Sequence, residues 1–387
     1  MVNKPLTNIT MRLNIKPGIF LPFLLLLSAT ANLSFAQKSD PLPDWAMSGF
    51  ERVKQNPIIS PDSTTSFYSV LDNKQVAWES NDTFNPAAVV KDGKIVVLYR
   101  AEDKSGVGIG YRTSRIGYAE STDGITMKRR DKPVFGPGND DQKENDWPGG
   151  SEDPRVAVAP DGTYVMMYTS WNRKVARLSV ATSKDLLTWK KHGPAFARAH
   201  NGRFRDIFHK SGSIVTKLVG DQIQITKVNG KYWMYWGENH VYAATSTNLV
   251  DWEPLLNSKG ELLELISPRK GYFDSALTEC GPPALLTDKG ILLLYNGKNG
   301  VAGVGDPTLN PETYSAGQVL FDAQDPTKVK GRLDKPFFKP EMDYEKAGQY
   351  ANGTVFIEGL VYFKSKWFLY YGCADSKVAV AVSSKPY

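Results

Sequence analysis

The sequence predicts an all-β chain, specifically a five-bladed β-propeller with an active-site pocket on its axis. Two observations predict this fold class. One hairpin pattern recurs five times, and no helical periodicity extends beyond a turn or two. Each hairpin joins two short apolar strands by a turn and ends on a tyrosine. The tyrosines are about 60 to 75 residues apart, at Tyr99, Tyr168, Tyr235, Tyr295 and Tyr370.

The repeating unit contains four strands. The hairpins span residues 89–99, 158–168, 226–235, 286–295 and 362–370. After the first hairpin, a third strand is predicted at residues 116–121 and a fourth ends at residues 132–135, and similar segments follow other hairpins. A long non-strand segment is expected at residues 197–217, and a Gly/Pro-rich insertion at 297–311 makes the fourth unit least regular. A two-domain sandwich is the structural alternative, but it does not explain the repeat.

Residues 1–36 predict a cleaved secretory signal peptide, which leaves residues 37–387 as a single catalytic domain. Three basic residues precede a short apolar run at residues 19–27, and small residues flank a cleavage position after Ala36. The apolar run is shorter than a membrane span. We therefore expect a periplasmic or secreted protein, with no membrane insertion after the signal is removed and no lipid anchor at the cleavage site.

The amino-acid composition indicates which classes of ligand and cofactor the protein binds. Removal of the signal lowers the formal net charge from +6 to about +3, which is too weak to indicate nucleic acid. An aromatic content of 11% suits a carbohydrate ligand, although many of these rings must serve the core. Cys280 and Cys373 could pair in an exported protein or remain two buried thiols. Neither the cysteines nor the four histidines have metal-ligand spacing, so we expect no metal and no cofactor.

The candidate site is centred on Glu152, Asp153 and Arg155, which lie at the start of an apolar strand where buried charge needs partners. In a propeller, the starts of the first strands converge on the axis, and residues just past the hairpin tyrosines face the same pocket. The residues that this rule brings together are Asn85, Glu152, Asp153, Arg155, Asp221, Glu279, Asn352, Arg100, Glu102, Asp103, Trp171 and Glu238. Such a set of carboxylates, arginines and aromatic rings is what glycosidic bond cleavage requires.

Three carboxylates are the leading catalytic candidates, namely Asp153, Glu238 and Glu279. Several of the candidate site residues have structural alternatives. Glu152 and Arg155 could form a solvated ion pair at a strand-entering turn. Glu238 could be a turn residue, and Trp171 could pack between blades instead of binding sugar.

Several motifs resemble those of glycoside hydrolase family 130, whose members are five-bladed propellers acting on β-mannosides. The motifs are Gly150-Ser151-Glu152-Asp153-Pro154-Arg155, Phe273-Asp274-Ser275, Gly281-Pro282-Pro283 and the Tyr-x-Gly hairpin ends. The resemblance covers Asn85 to the C-terminus and implies a mannose-containing oligosaccharide or glycan as partner. It implies that Asp153 is the proton donor, acting through the mannose 3-hydroxyl. It also implies that Asn85, Arg100, Asp103 and Asp274 bind mannose in the −1 subsite, with Glu152, Arg155 and Trp171 as further substrate or orienting residues.

The resemblance also separates two branches of the family. Phosphorylases typically have His-Arg-Pro after the third hairpin and a small residue before Gly-Pro-Pro. This chain instead has Glu238 after Trp236-Gly237, and Glu279 before Cys280-Gly281. Carboxylates can activate water but repel phosphate. The resemblance therefore implies an inverting hydrolase, with Glu238 and Glu279 as the base and β-1,2-mannosidic linkages as substrate.

Three other functions remain open at this point. A phosphorylase could use Arg173, Arg177 or Lys210 as anion ligands. A furanosidase propeller shares short motifs, although its Asn-Asp-Pro strand start is replaced here by Asn85-Pro86-Ala87. A non-catalytic glycan-binding propeller would need aromatic platforms but no acid–base set.

Overall fold

The computed structural model describes residues 42–387, and these are almost entirely β-structure, which confirms the all-β prediction. Helix in this part of the chain is limited to α1 (Lys143–Asp146) and two 3₁₀ turns (Ala199–Gly202 and Asp343–Glu345). Within residues 42–387, no helix has the length and apolar character needed to cross a bilayer. The signal peptide predicted at residues 1–36 lies outside the described residues.

The strands pair mainly with their neighbours in the chain. Three short strands come first: β1 (Glu51–Arg52), β2 (Phe67–Ser69) and β3 (Lys74–Val76). Four antiparallel groups follow. The first two contain β4 (Asp82–Lys91), β5 (Lys94–Glu102), β6 (Ser114–Ser121) and β7 (Lys128–Arg129), then β8 (Gly150–Val158), β9 (Tyr164–Trp171), β10 (Ala176–Ser183) and β11 (Lys190–Pro194). The next two contain β12 (Gly212–Val219), β13 (Gln222–Ile225), β14 (Lys227–Val228), β15 (Lys231–Trp236), β16 (Tyr242–Ser246) and β17 (Glu253–Pro254), then β18 (Leu277–Cys280), β19 (Ala284–Leu286), β20 (Ile291–Lys298), β21 (Tyr314–Phe321) and β22 (Val329–Arg332).

The last group joins the two ends of the described chain. It contains β23 (Val355–Phe363), β24 (Lys366–Cys373) and β25 (Lys377–Ser383), and β1 pairs antiparallel with β25 as its fourth strand. Parallel bridges connect neighbouring groups, as at Ser114 with Gly150 and Val215 with Ala284. The strands thus follow the predicted four-stranded repeat, while the five-bladed arrangement around one axis stays a prediction.

The hairpin turns and tyrosines behave as their chemistry predicts. In the first and third hairpins, Asp92-Gly93 and Asn229-Gly230 both have positive φ at the two central positions, as two-residue turns between twisted strands require. The five hairpin tyrosines are all buried, and they pack where one group meets the next. For example, the Tyr235 ring stacks on Phe321 at 4.3 Å between ring centroids. These contacts fix the position of each strand group relative to the next. The starts of the first strands are therefore held close together.

One boundary in the sequence analysis was wrong. Residues 197–217 are not entirely non-strand, because β12 begins at Gly212. Asp221, which was expected at a strand start, is instead exposed in the turn that leads into β13. The true start of this first strand lies beside Lys210 and Ser211. Cys280 and Cys373 are both buried and free, so of the two alternatives the structure has unpaired thiols.

Candidate active site

Two of the predicted residues, Asn85 and Asp153, lie at matching irregularities in β4 and β8. The strand register shifts between Phe84 and Pro86 in β4 and between Glu152 and Arg155 in β8. Asn85 and Asp153 have φ values of 45° and 49°, a costly conformation for a residue other than glycine. Each precedes a proline, which strands tolerate at bulges. The bulges direct both side chains to one place, where Asn85 Nδ2 donates a hydrogen bond to Asp153 Oδ1 at 2.8 Å.

Arg100 forms ion pairs with three carboxylates close to Asn85. Its guanidinium donates to Asp153 at 3.0 Å, to Glu152 at 2.9 Å and to Glu102 at 2.6 Å. Burial alone would raise the pKa of Asp153, but Arg100, Lys210 and Arg155 outweigh burial and lower it. Glu152 shows the opposite balance: burial and the neighbouring carboxylates raise its pKa to about 7. At neutral pH, Asp153 in the free site is therefore ionised, while Glu152 is partly protonated.

Lys210 occupies the centre of the second cluster. Its Nζ lies 3.6 Å from Asp153 Oδ2, 3.6 Å from Glu238 Oε1 and 3.6 Å from Glu279 Oε1. These oxygens are consequently no more than about 7 Å apart, so all three carboxyl groups lie close enough to contact one bound sugar. Burial would lower the pKa of Lys210, but the carboxylates raise it well above its ordinary value, so this amine is a permanent cation.

The two glutamates beside Lys210 have different surroundings. The Glu279 side chain is 1% exposed and accepts a hydrogen bond from Ser211, whereas Glu238 is 23% exposed. Burial raises the pKa of Glu279 to about 7, although Lys210 opposes that rise. A carboxylate with this pKa can take a proton near neutral pH, which is the property of a general base.

Arg155 is not among the cavity-lining residues and instead links β8 to β18 and β23 through its side chain. It donates to the backbone carbonyls of Gly281 at 3.0 Å, Cys280 at 2.7 Å and Asp153 at 3.1 Å. Its Nη2 also lies 3.0 Å from Glu358 Oε1, at a third bulge in β23. The structure thus places Arg155 as an orienting residue that connects Asp153 with the segment following Glu279.

Asp103 and Asp274 also lie outside the cavity lining. Asp103 pairs with Arg115 at 2.6 Å. Asp274 is fully buried among Arg269 at 3.0 Å, Arg332 at 2.5 Å and the Tyr295 hydroxyl at 2.7 Å. Both carboxylates form ion pairs with arginines outside the cavity, so the structure does not place them with Asp153, Glu238 and Glu279.

The carboxylates around Arg100 and those around Lys210 line one cavity of about 250 Å³. Of the predicted residues, it brings together Asn85, Arg100, Glu102, Glu152, Asp153, Trp171, Glu238 and Glu279. Lys210, which the sequence analysis named only as an anion ligand for the phosphorylase alternative, also lines it. Residues that sequence reasoning did not assign to the site complete the lining, namely Phe84, Ile109, Gly110, Ala176, Phe208, Tyr314, Gln349, Tyr350, Phe356 and Asp375. Such a mixture of apolar walls and a few convergent polar groups is typical of a small-molecule site.

Asp375 could have been found from the sequence. It follows the fifth hairpin tyrosine by a few residues, as Arg100, Trp171 and Glu238 follow theirs. It is half-buried in the turn between β24 and β25, and desolvation raises its pKa to about 7. Gln349 and Tyr350 come from a loop without any repeat signature, so no comparable signal identifies them.

Comparisons with known proteins identify the family of the chain. The family model described as beta-1,4-mannooligosaccharide phosphorylase, of glycoside hydrolase family 130, matches residues 49–385. A 1,2-beta-oligomannan phosphorylase from Thermoanaerobacter sp. (strain X514) is 30% identical over 340 residues, covering 86% of this chain and 96% of its own.

Two solved structures are more similar. A glycosyl hydrolase from Bacteroides ovatus is 63% identical with a TM-score of 0.88, over 90% of this chain and 97% of its own. A structure from work on GH130 hydrolases that target beta-1,2 mannosidic linkages in Candida mannan is 61% identical with a TM-score of 0.89, over 90% and 98%.

Proposed function

Because the chain belongs to glycoside hydrolase family 130, we propose that it hydrolyses β-mannosidic linkages, specifically β-1,2-linkages, with inversion and release of mannose. One observation carries the proposal: Glu238 and Glu279 lie around Lys210 in the cavity that Asp153 also lines. The linkage follows from the β-1,2-mannoside-active hydrolases and phosphorylases to which the chain is similar. We further propose that the five strand groups are the blades of a propeller and that this cavity lies on its axis.

The charges around the cavity favour water over phosphate as the nucleophile. Its lining contains six carboxyl groups and two cations, namely Glu102, Glu152, Asp153, Glu238, Glu279 and Asp375 with Arg100 and Lys210. Both cations are already engaged by three carboxylates each. A phosphate dianion would have to displace these partners and approach Glu238 and Glu279, which would repel it.

The residues divide the reaction between them. One glutamate of the pair takes a proton from water while the water oxygen forms a bond to the anomeric carbon. The bond from that carbon to the leaving oxygen breaks, and Asp153 supplies the proton for this oxygen through the mannose 3-hydroxyl. Asp153 must therefore be protonated in the complex. Sugar hydroxyls that replace its contacts to Asn85, Arg100 or Lys210 remove the groups that lower its pKa.

A phosphorylase is the second candidate, because relatives that are 30% identical to the chain are named as phosphorylases. Lys210 is the cation that could serve it. Arg173 and Arg177 are not among the cavity-lining residues, and Arg177 is held by Asp206 at 2.7 Å.

Product analysis with β-1,2-mannobiose, with and without phosphate, distinguishes the two candidates. We expect mannose at the same rate in both buffers, and loss of most activity in Asp153→Asn and in Glu238→Gln or Glu279→Gln. Mannose 1-phosphate formed faster than mannose would overturn the proposal. Near-normal turnover in both glutamate variants would do the same.

We also propose export of the mature domain, residues 37–387, to the periplasm or medium. Expression of the full chain in a Gram-negative host, followed by N-terminal sequencing of the mature protein, tests this. Export predicts a new terminus at Gln37 in the periplasmic or secreted fraction, and full-length protein confined to the cytoplasm contradicts it.

A further inference from the structure

One wall of the cavity mouth is apolar and open to solvent. Ile109 and Phe208 both line the cavity, yet they are 50% and 54% exposed. They come from two loops far apart in the chain, and Trp171, at the end of β9, contacts both loops through Gly110 and Phe208. Large apolar side chains that remain exposed beside a cavity commonly mark a ligand-binding surface.

Trp171 is held in one orientation before any ligand arrives. Its indole Nε1 donates a hydrogen bond to the Gly110 carbonyl at 2.8 Å. Gly149 packs against the ring so closely that a Cβ added there would lie 2.2 Å from Trp171 Cδ1. The Phe208 ring meets Trp171 edge-on, with 6.2 Å between centroids and 78° between planes. The two rings therefore form a preorganised apolar surface, which reduces the conformational entropy lost when a ligand binds there.

The polar side of the cavity has a different composition. Asn85, Arg100 and Asp153 form a hydrogen-bonded cluster that suits the hydroxyl groups of one sugar. A cavity of about 250 Å³ has little room beyond one such unit, so further units of an oligosaccharide must extend through the mouth. The C–H faces of a pyranose ring are apolar and match the half-buried ring of Trp171 and the exposed ring of Phe208.

We propose that the wall formed by Ile109, Trp171 and Phe208 binds the sugar on the leaving-group side of the scissile bond. The ligand is the second and following mannosyl units of a β-linked oligomannoside. This rests on the proposed function for the class of glycan, but it holds whether water or phosphate is the nucleophile. The wall makes the protein a binder of oligosaccharides in preference to mannose.

Calorimetry on the Asp153→Asn protein tests the wall, with mannose and β-1,2-mannotriose as titrants. Adding Phe208→Ala should weaken mannotriose binding about tenfold, which corresponds to about 1.4 kcal/mol and is near the upper end of what one aromatic contact contributes. It should leave mannose binding within about twofold. Phe208→Tyr, which keeps a ring, should restore the affinity. Tyr68→Ala is the matched control, because Tyr68 is 52% exposed and lies outside the cavity lining.

The outcomes separate this inference from the function on which it rests. Suppose that wild-type protein cleaves β-1,2-mannobiose. If Phe208→Ala then binds mannotriose with normal affinity, or loses affinity for mannose and mannotriose equally, the proposed role of the wall is overturned and the proposed function stands. If the Asp153→Asn protein binds neither sugar and the wild type cleaves no β-mannoside, both are overturned.

Discussion

Replacing Lys210 with glutamine should move the whole pH–activity profile to higher pH. The change removes the one positive charge that lies 3.6 Å from Asp153, Glu238 and Glu279 alike. Without that charge, ionisation of each carboxyl is harder, so the pKa values of the acid and of the base both rise. The base must be ionised to accept a proton from water, and it would reach that state only at higher pH.

The size of the shift follows from the geometry. Two unit charges 3.6 Å apart interact by about 5 kcal/mol at an effective dielectric constant of about 20. Because 1.36 kcal/mol corresponds to one pKa unit, loss of this interaction could raise the pKa of Glu279 by about three units at most. Solvent and rearrangement reduce this, so we expect a shift of about one to two units. At neutral pH, kcat/KM should then fall by about 10- to 100-fold.

The assay is kcat/KM for β-1,2-mannobiose as a function of pH. Lys210→Gln should lose activity at neutral pH and recover part of it in alkaline buffer, while Lys210→Arg should stay close to wild type. Lys191→Gln is a matched control, because Lys191 also lies between two carboxylates, Asp140 at 2.9 Å and Asp146 at 2.6 Å, away from the cavity lining. A Lys210→Gln profile with unshifted limbs would refute the reasoning.

Three further predictions concern other buried groups. Asp274→Asn should lower the free energy of unfolding in urea by about 3–5 kcal/mol, because it leaves Arg269 and Arg332 uncompensated, with KM unchanged; a raised KM at normal stability would show that Asp274 binds sugar. Glu358→Gln should lower kcat more than it changes KM, since it loosens Arg155 beneath Asp153; a change in KM alone would contradict this. Ser211→Ala should raise the pKa of the acidic limb by less than about one unit through the lost hydrogen bond to Glu279, and an unshifted acidic limb would count against Glu279 as the base.

The parts of the fold that could be predicted from sequence are those with local chemistry. A turn such as Asp92-Gly93 between apolar strands identifies a hairpin by itself, and repetition of that signal five times predicts the strand groups. The start of β12 was missed because Ser211-Gly212-Ser213 carries no apolar alternation. This strand is held by its neighbours, as in the hydrogen bond from Ser213 to Gly281, and such contacts leave no local pattern.

The site shows the same limit. Asn85, Asp153, Glu238 and Glu279 were found because repeat position predicts which residues converge. Lys210 lies at the missed strand start, so its central position among the carboxylates could not be foreseen as a catalytic feature. The apolar wall is assembled from loops outside the repeat, and only the three-dimensional structure brings its residues together.

The central claim is that water attacks the anomeric carbon under the control of Glu238 and Glu279. A time course of ¹H NMR spectra, recorded on wild-type protein with β-1,2-mannobiose in phosphate buffer, tests it in one experiment. We predict α-mannose as the first product from the non-reducing unit, followed by slow mutarotation to the β-anomer. First release of β-mannose would contradict inversion, and accumulation of α-mannose 1-phosphate would contradict water as the nucleophile.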